Sequence, residues 1–71
     1  MIDWIPVVSE RVQAIRYDSA TDTIFVRFLD GAEWQYSECP PHIWEEFASA
    51  NTSKGRYIRE VLDTHPKGPT G

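Results

Sequence analysis

Residues 23–37, Thr-Ile-Phe-Val-Arg-Phe-Leu-Asp-Gly-Ala-Glu-Trp-Gln-Tyr-Ser, constrain the fold more than any other stretch. Two β-branched and aromatic runs flank Leu29-Asp30-Gly31, the pattern of a β-hairpin. A two-residue Asp30-Gly31 turn would leave both faces of the hairpin mixed. A three-residue loop with Gly31 in the left-handed region and a G1 bulge slips the register by one. Phe28 then opposes Ala32, Val26 opposes Trp34, and Ile24 opposes Tyr36, all on one face. The other face pairs Arg27 with Glu33 and Phe25 with Gln35. Because a one-residue slip inverts every side chain, burial selects the bulged register.

The remaining elements attach to this hairpin. Residues 11–17 read as a strand, and the cluster Asp18 to Asp22 reads as the turn into the next one. A four-residue loop places Ile15 and Tyr17 with the apolar face and Val12, Ala14 and Phe25 on the outer face. Cys39-Pro40-Pro41 ends the third strand and suits a helix start. A helix is expected over residues 41–50 from Ile43, Phe47 and Ala50, with Glu45 and Glu46 toward its positive end. A second helix, residues 54–63, follows Asn51-Thr52-Ser53, with Thr52 or Ser53 as its N-cap. The expected fold is α+β: a three-stranded antiparallel meander, then two short helices packed on one face of the sheet. Residues 1–10 form a lead segment in which Pro6 forbids a central strand, with Trp4 and Ile5 expected in the core. Residues 11–63 form a single domain, and 64–71 a disordered tail that buries nothing.

At 71 residues, one domain is expected and its stability margin is small. A single cysteine, Cys39, excludes an intramolecular disulfide scaffold. No secretory leader and no membrane span is legible, so a cytoplasmic location and no membrane partner are expected. The net charge of −4 opposes bulk attraction to nucleic acid. It is uneven, however: residues 1–50 carry −6, whereas residues 51–71 carry +2 through Lys54, Arg56, Arg59 and Lys67 against Glu60 and Asp63.

No catalytic constellation stands out. Cys39 and His42 are three apart without an orienting acid, and one Cys with two His (His42, His65) falls short of a zinc set. The chain is therefore read as non-enzymatic, with no metal and no cofactor. Ser53-Lys54-Gly55-Arg56-Tyr57-Ile58-Arg59 remains. Two cations in a first helical turn oppose the macrodipole. A hydroxyl, a glycine and cations at a helix start suit an oxyanion such as phosphate. The plainer possibility is a solvated helix with Arg56–Glu60 and Arg59–Asp63 ion pairs.

These segments together resemble the KTSC domain over about Ser9 to His65. The carrying pieces are Val12 to Asp18, Ile24 to Phe28, Gly31 with Trp34-Gln35-Tyr36, Cys39-Pro40, and Ala50 to Tyr57. Of these, Ser53-Lys54-Gly55 is the most specific. Trp34 stands where the family usually has tyrosine, and Cys39 where a small aliphatic is common. The resemblance implies a module found at the C-terminus of some lysyl-tRNA synthetases and as stand-alone bacterial or phage proteins. The family's function is unknown, and its synthetase context suggests RNA.

Two binding functions follow. In the first, RNA or another phosphate-bearing ligand meets Ser53, Lys54, Gly55, Arg56, Tyr57 and Arg59, and the double substitution Lys54→Ala with Arg56→Ala removes binding without unfolding the domain. In the second, a protein partner meets Val12, Ala14 and Phe25 on the outer sheet face, or adds to the first strand as an exposed edge. The oligomeric state stays open.

Overall fold

The computed structural model describes residues 4–49 and 51–70. Ala50, expected in the stripe of the first helix, lies outside the described residues, as do Met1 to Asp3 of the lead and Gly71 of the tail. Five antiparallel strands follow in sequential order across one sheet: β1 (Ile5–Pro6), β2 (Val12–Asp18), β3 (Thr23–Phe28), β4 (Glu33–Tyr36) and β5 (Lys67–Pro69). Two helices, α1 (Pro41–Ala48) and α2 (Lys54–Glu60), and a 3-10 turn (Leu62–Thr64) lie between β4 and β5.

The central hairpin takes the bulged register. Val26 pairs with Trp34 and Ile24 with Tyr36. Phe28 N donates to Ala32 O at 2.8 Å and Gly31 N to Phe28 O at 3.0 Å. Gly31 has φ +94°, a left-handed value that glycine adopts without steric cost. On the opposite face Arg27 Nε meets Glu33 Oε2 at 2.9 Å.

The sheet is wider than the expected three strands. Ile5 pairs with Ile15 and Pro6 with Ala14, so the lead supplies an edge strand, a place that tolerates proline. The segment expected to be a disordered tail forms the other edge, with Trp34 opposite Pro69 and Tyr36 opposite Lys67. Ser37 N donates to Pro66 O at 2.8 Å and Thr70 N to Glu33 O at 3.0 Å. Backbone bonds and the Lys67–Asp63 ion pair at 3.1 Å fasten this edge without an apolar stripe.

A bulge alters the first expected strand. Val12 pairs with Phe28 but Ala14 pairs with Arg27, leaving Gln13 as the extra residue. The shift turns Val12 inward, where it is fully buried in the core, and leaves Ala14 on the other side of the sheet, paired with Pro6 of the edge strand. Ile15, Ile24, Val26 and Tyr36 meet Phe47 of α1, Tyr57 and Ile58 of α2, and Leu62 in one cluster. Tyr17 stacks on Trp44 at 5.3 Å, and its hydroxyl donates to Cys39 O at 2.7 Å. These contacts set α1 against the sheet.

Trp4 and Ile5 do not enter the core as expected. Ile5 is 47% exposed. Trp4 covers the outer face, its ring centroid 5.1 Å from Arg16 Cζ and 4.4 Å from Arg27 Cζ. Arg16 in turn lies 4.0 Å over Phe25.

Candidate functional site

Residues 53–59 occupy the start and body of α2, yet three of the expected ligand contacts are committed to the fold. Lys54 is only 7% exposed. Its Nζ donates to Ser49 O at 2.8 Å and Thr52 O at 3.1 Å, closing the turn between the helices. Burial pulls its pKa below the ordinary lysine value, and the two carbonyls supply the hydrogen bonds that a buried ammonium requires. Lys54 is thus a cap for the inter-helix turn rather than an exposed phosphate contact. Tyr57 is buried as well. Its hydroxyl donates to Glu46 Oε1 at 2.7 Å, so its ring is no stacking platform. Burial first, and that carboxylate second, push its pKa well up. Glu46 lies past the first turn of α1, where it holds Tyr57 instead of serving the helix dipole.

Gly55 takes a different part from the one expected. A Cβ there would lie 3.4 Å from Arg11 Cδ, so the missing side chain seats the stem of Arg11 against α2. Ser53 occupies the N-cap position, makes no side-chain capping bond and stays exposed.

Of the expected ligand contacts, Arg56 and Arg59 remain open to solvent with Ser53, and the exposed Glu10 and Arg11 face them across a cleft. Arg11, Arg56 and Arg59 line a cleft of about 400 Å³ between residues 8–11 and 52–59, with Ser53 on its wall. All three arginines are exposed. Arg56 meets Glu60 at 3.0 Å in an exposed i, i+4 pair, which is worth only tenths of a kcal/mol. The expected Arg59–Asp63 pair does not form, because Asp63 turns to Lys67. Arg11 and Arg59 form no ion pair among the described residues. Arg11 was missed from sequence because it lies more than forty positions from the helix it joins, and no local spacing relates the two.

Of the residues expected on the outer face, only Phe25 stays there part-exposed. Val12 is in the core, Ala14 is buried, and Phe25 lies under Arg16. The strand Val12–Asp18 is not a free edge either, since β1 pairs with its middle. A partner on that face would meet Trp4, Arg16 and Arg27.

Cys39 is fully buried, and its thiol donates to Ser37 O at 3.4 Å. Burial, reinforced by Asp22 and Glu38, pushes its pKa up to about 11. That is the opposite of what an activated thiolate needs. His42 is exposed on α1. No helix among the described residues is long and apolar enough to cross a membrane.

A sequentially wound antiparallel sheet with two short helices on one face, one of them bordering an arginine cleft, defines a small α+β domain. The KTSC domain model matches residues 8–65, and the chain belongs to the KTSC domain family. A protein of Tsukamurella paurometabola is 33% identical over 57 residues, covering 80% of this chain and 84% of that protein. The crystal structure of a KTSC domain protein from Yersinia pestis superposes with a TM-score of 0.90 at 28% identity, covering 100% of both chains. The family match ends at residue 65, before β5, whereas the structural likeness includes both edge strands.

Proposed function

We propose that this domain is a non-enzymatic binding module that takes a phosphate-bearing ligand, single-stranded RNA in the first place, in the cleft formed by Arg11, Arg56 and Arg59. The carrying observation is the convergence of these three exposed arginines on one concavity from two parts of the chain. A guanidinium presents a planar fork of donors suited to phosphate oxygens. The Ser53 hydroxyl adds a donor on the same wall. Lys54 and Tyr57 serve by holding α2 in place, and Gly55 by seating Arg11.

Local charge makes the cleft compatible with an acidic body. Residues 51–71 carry +2 within a chain of −4, and exposed charges beyond roughly 8–10 Å are largely screened at physiological salt. Fluorescence anisotropy of a labelled single-stranded RNA tests the proposal. With three phosphate contacts, log K should fall against log salt with a slope of about −2. Arg11→Ala with Arg59→Ala should abolish binding while the fold persists. Undiminished affinity in that double variant would remove the cleft from the function.

A further inference from the structure

Beside the arginine cleft lies a second concavity of about 480 Å³, a size common to small-ligand sites. It arises from a mismatch across the hairpin. Ala32 stands opposite Phe28 and is too short to fill the space that Phe28 and Trp34 leave. Tyr36 and Ile58 form its floor, while the Phe28 and Trp34 rings remain half-buried. Arg11 borders both concavities, with its Cζ 5.6 Å from the Phe28 centroid.

We propose that this groove is a base subsite, in which an unpaired nucleobase packs against Phe28 and Trp34 while its phosphate stays on the arginines. The inference rests on the phosphate reading of the neighbouring cleft. Aromatic walls give a base a stacking surface whatever its sequence. Asp30 lines this groove and not the arginine cleft, Glu10 borders both, and Lys67 on the rim is paired to Asp63. The Asp30 carboxylate repels phosphate and accepts hydrogen bonds from base N–H groups, so it orients a nucleotide with its base in the groove. Arg11 joins the two subsites, placing phosphate and base within reach of one side chain. An aromatic peptide could fill the groove but would leave the arginine cleft without its anion.

The test compares a short single-stranded RNA with an abasic strand of the same length and charge. Ala32 is exposed, so Ala32→Leu fills the groove and leaves the arginines untouched. The base-bearing strand should bind Ala32→Leu about tenfold more weakly than wild type, as expected for the loss of one stacked base. The abasic strand should bind both proteins equally. In wild type, the Trp34 indole N–H resonance should move with the base-bearing strand and stay still with the abasic one, a readout independent of any variant. A Trp34 indole that ignores both strands, or equal affinity of both for wild type, overturns the base subsite and leaves the phosphate cleft standing. Failure of both strands to bind wild type at low salt removes the cleft and the groove together. Saturable binding of a phosphate-free aromatic dipeptide that Ala32→Leu abolishes, with the RNA unaffected, assigns the groove to peptide and overturns the proposal.

Discussion

The Lys54 ammonium donates to the Ser49 carbonyl at 2.8 Å, joining the start of α2 to the end of α1. A second bond to Thr52 O at 3.1 Å completes the closure. The lysine of Ser53-Lys54-Gly55 is therefore spent inside the molecule. In the proposed function phosphate is left to the arginines, one of which lies on the approach to β2.

Lys54→Ala is expected to act on stability. Losing charged hydrogen bonds to part-buried acceptors costs about 1.5–3 kcal/mol, which in a domain of this size lowers Tm by roughly 10 °C. At a temperature where the variant stays folded, its affinity for single-stranded RNA should remain within about twofold of wild type, since Lys54 borders the cleft but its ammonium is engaged by two backbone carbonyls. A variant with wild-type Tm and no RNA binding would return Lys54 to the ligand. Thermal melts and anisotropy on the same sample separate the two.

Gly31→Val tests the hairpin loop. A Cβ at Gly31 meets no atom within 4 Å, so crowding contributes nothing. The cost is conformational, at about 1–2 kcal/mol for a left-handed residue, with a β-branched side chain at the upper end. Gly31→Asn should cost less, because asparagine tolerates this region. Urea midpoints should rank wild type, then Asn, then Val. Equal midpoints would contradict the bulged loop.

Stability should fall at alkaline pH. Burial pushes the Cys39 thiol from 9.0 to about 11 and the Tyr17 and Tyr36 phenols from 10.0 to about 12. Above pH 9 the unfolded chain releases protons that the folded chain retains. The folded state then holds more protons, so stability drops as pH rises. The loss should begin near pH 9 and continue past pH 12, since the buried Tyr57 phenol is pushed up further still. Lys54 works in the opposite sense, since its lowered pKa makes the unfolded chain the better proton binder in its window. Four acidic groups, Tyr57 included, outweigh that one amine. Urea midpoints measured from pH 8 to 12 check this, and a flat profile would show these side chains to be solvated.

The parts of the fold visible in the sequence are those that burial alone decides. Ile24, Val26, Trp34 and Tyr36 fix the hairpin register because any slip exposes them. The bulge at Gln13 was invisible because either register gives Val12 or Ile15 an apolar neighbour; only the whole sheet selects it. β5 was invisible because Lys67-Gly68-Pro69 carries no alternation and pairs through its backbone. In the candidate site, the exposure of Arg56 and Arg59 followed from their helix positions, while the burial of Lys54 depended on how the preceding turn brings Ser49 and Thr52 carbonyls within its reach. Arg11 belongs to the cleft through a contact with Gly55 that no local spacing encodes.

An amide-shift titration of isotope-labelled protein with short single-stranded RNA, at low and then moderate salt, addresses the arginine cleft most directly. Shifts should centre on Arg11, Ser53, Arg56 and Arg59 and fade as salt rises. A spectrum that stays still at low salt, or shifts gathered around Trp4, Arg16 and Phe25 instead, would contradict phosphate binding at this cleft.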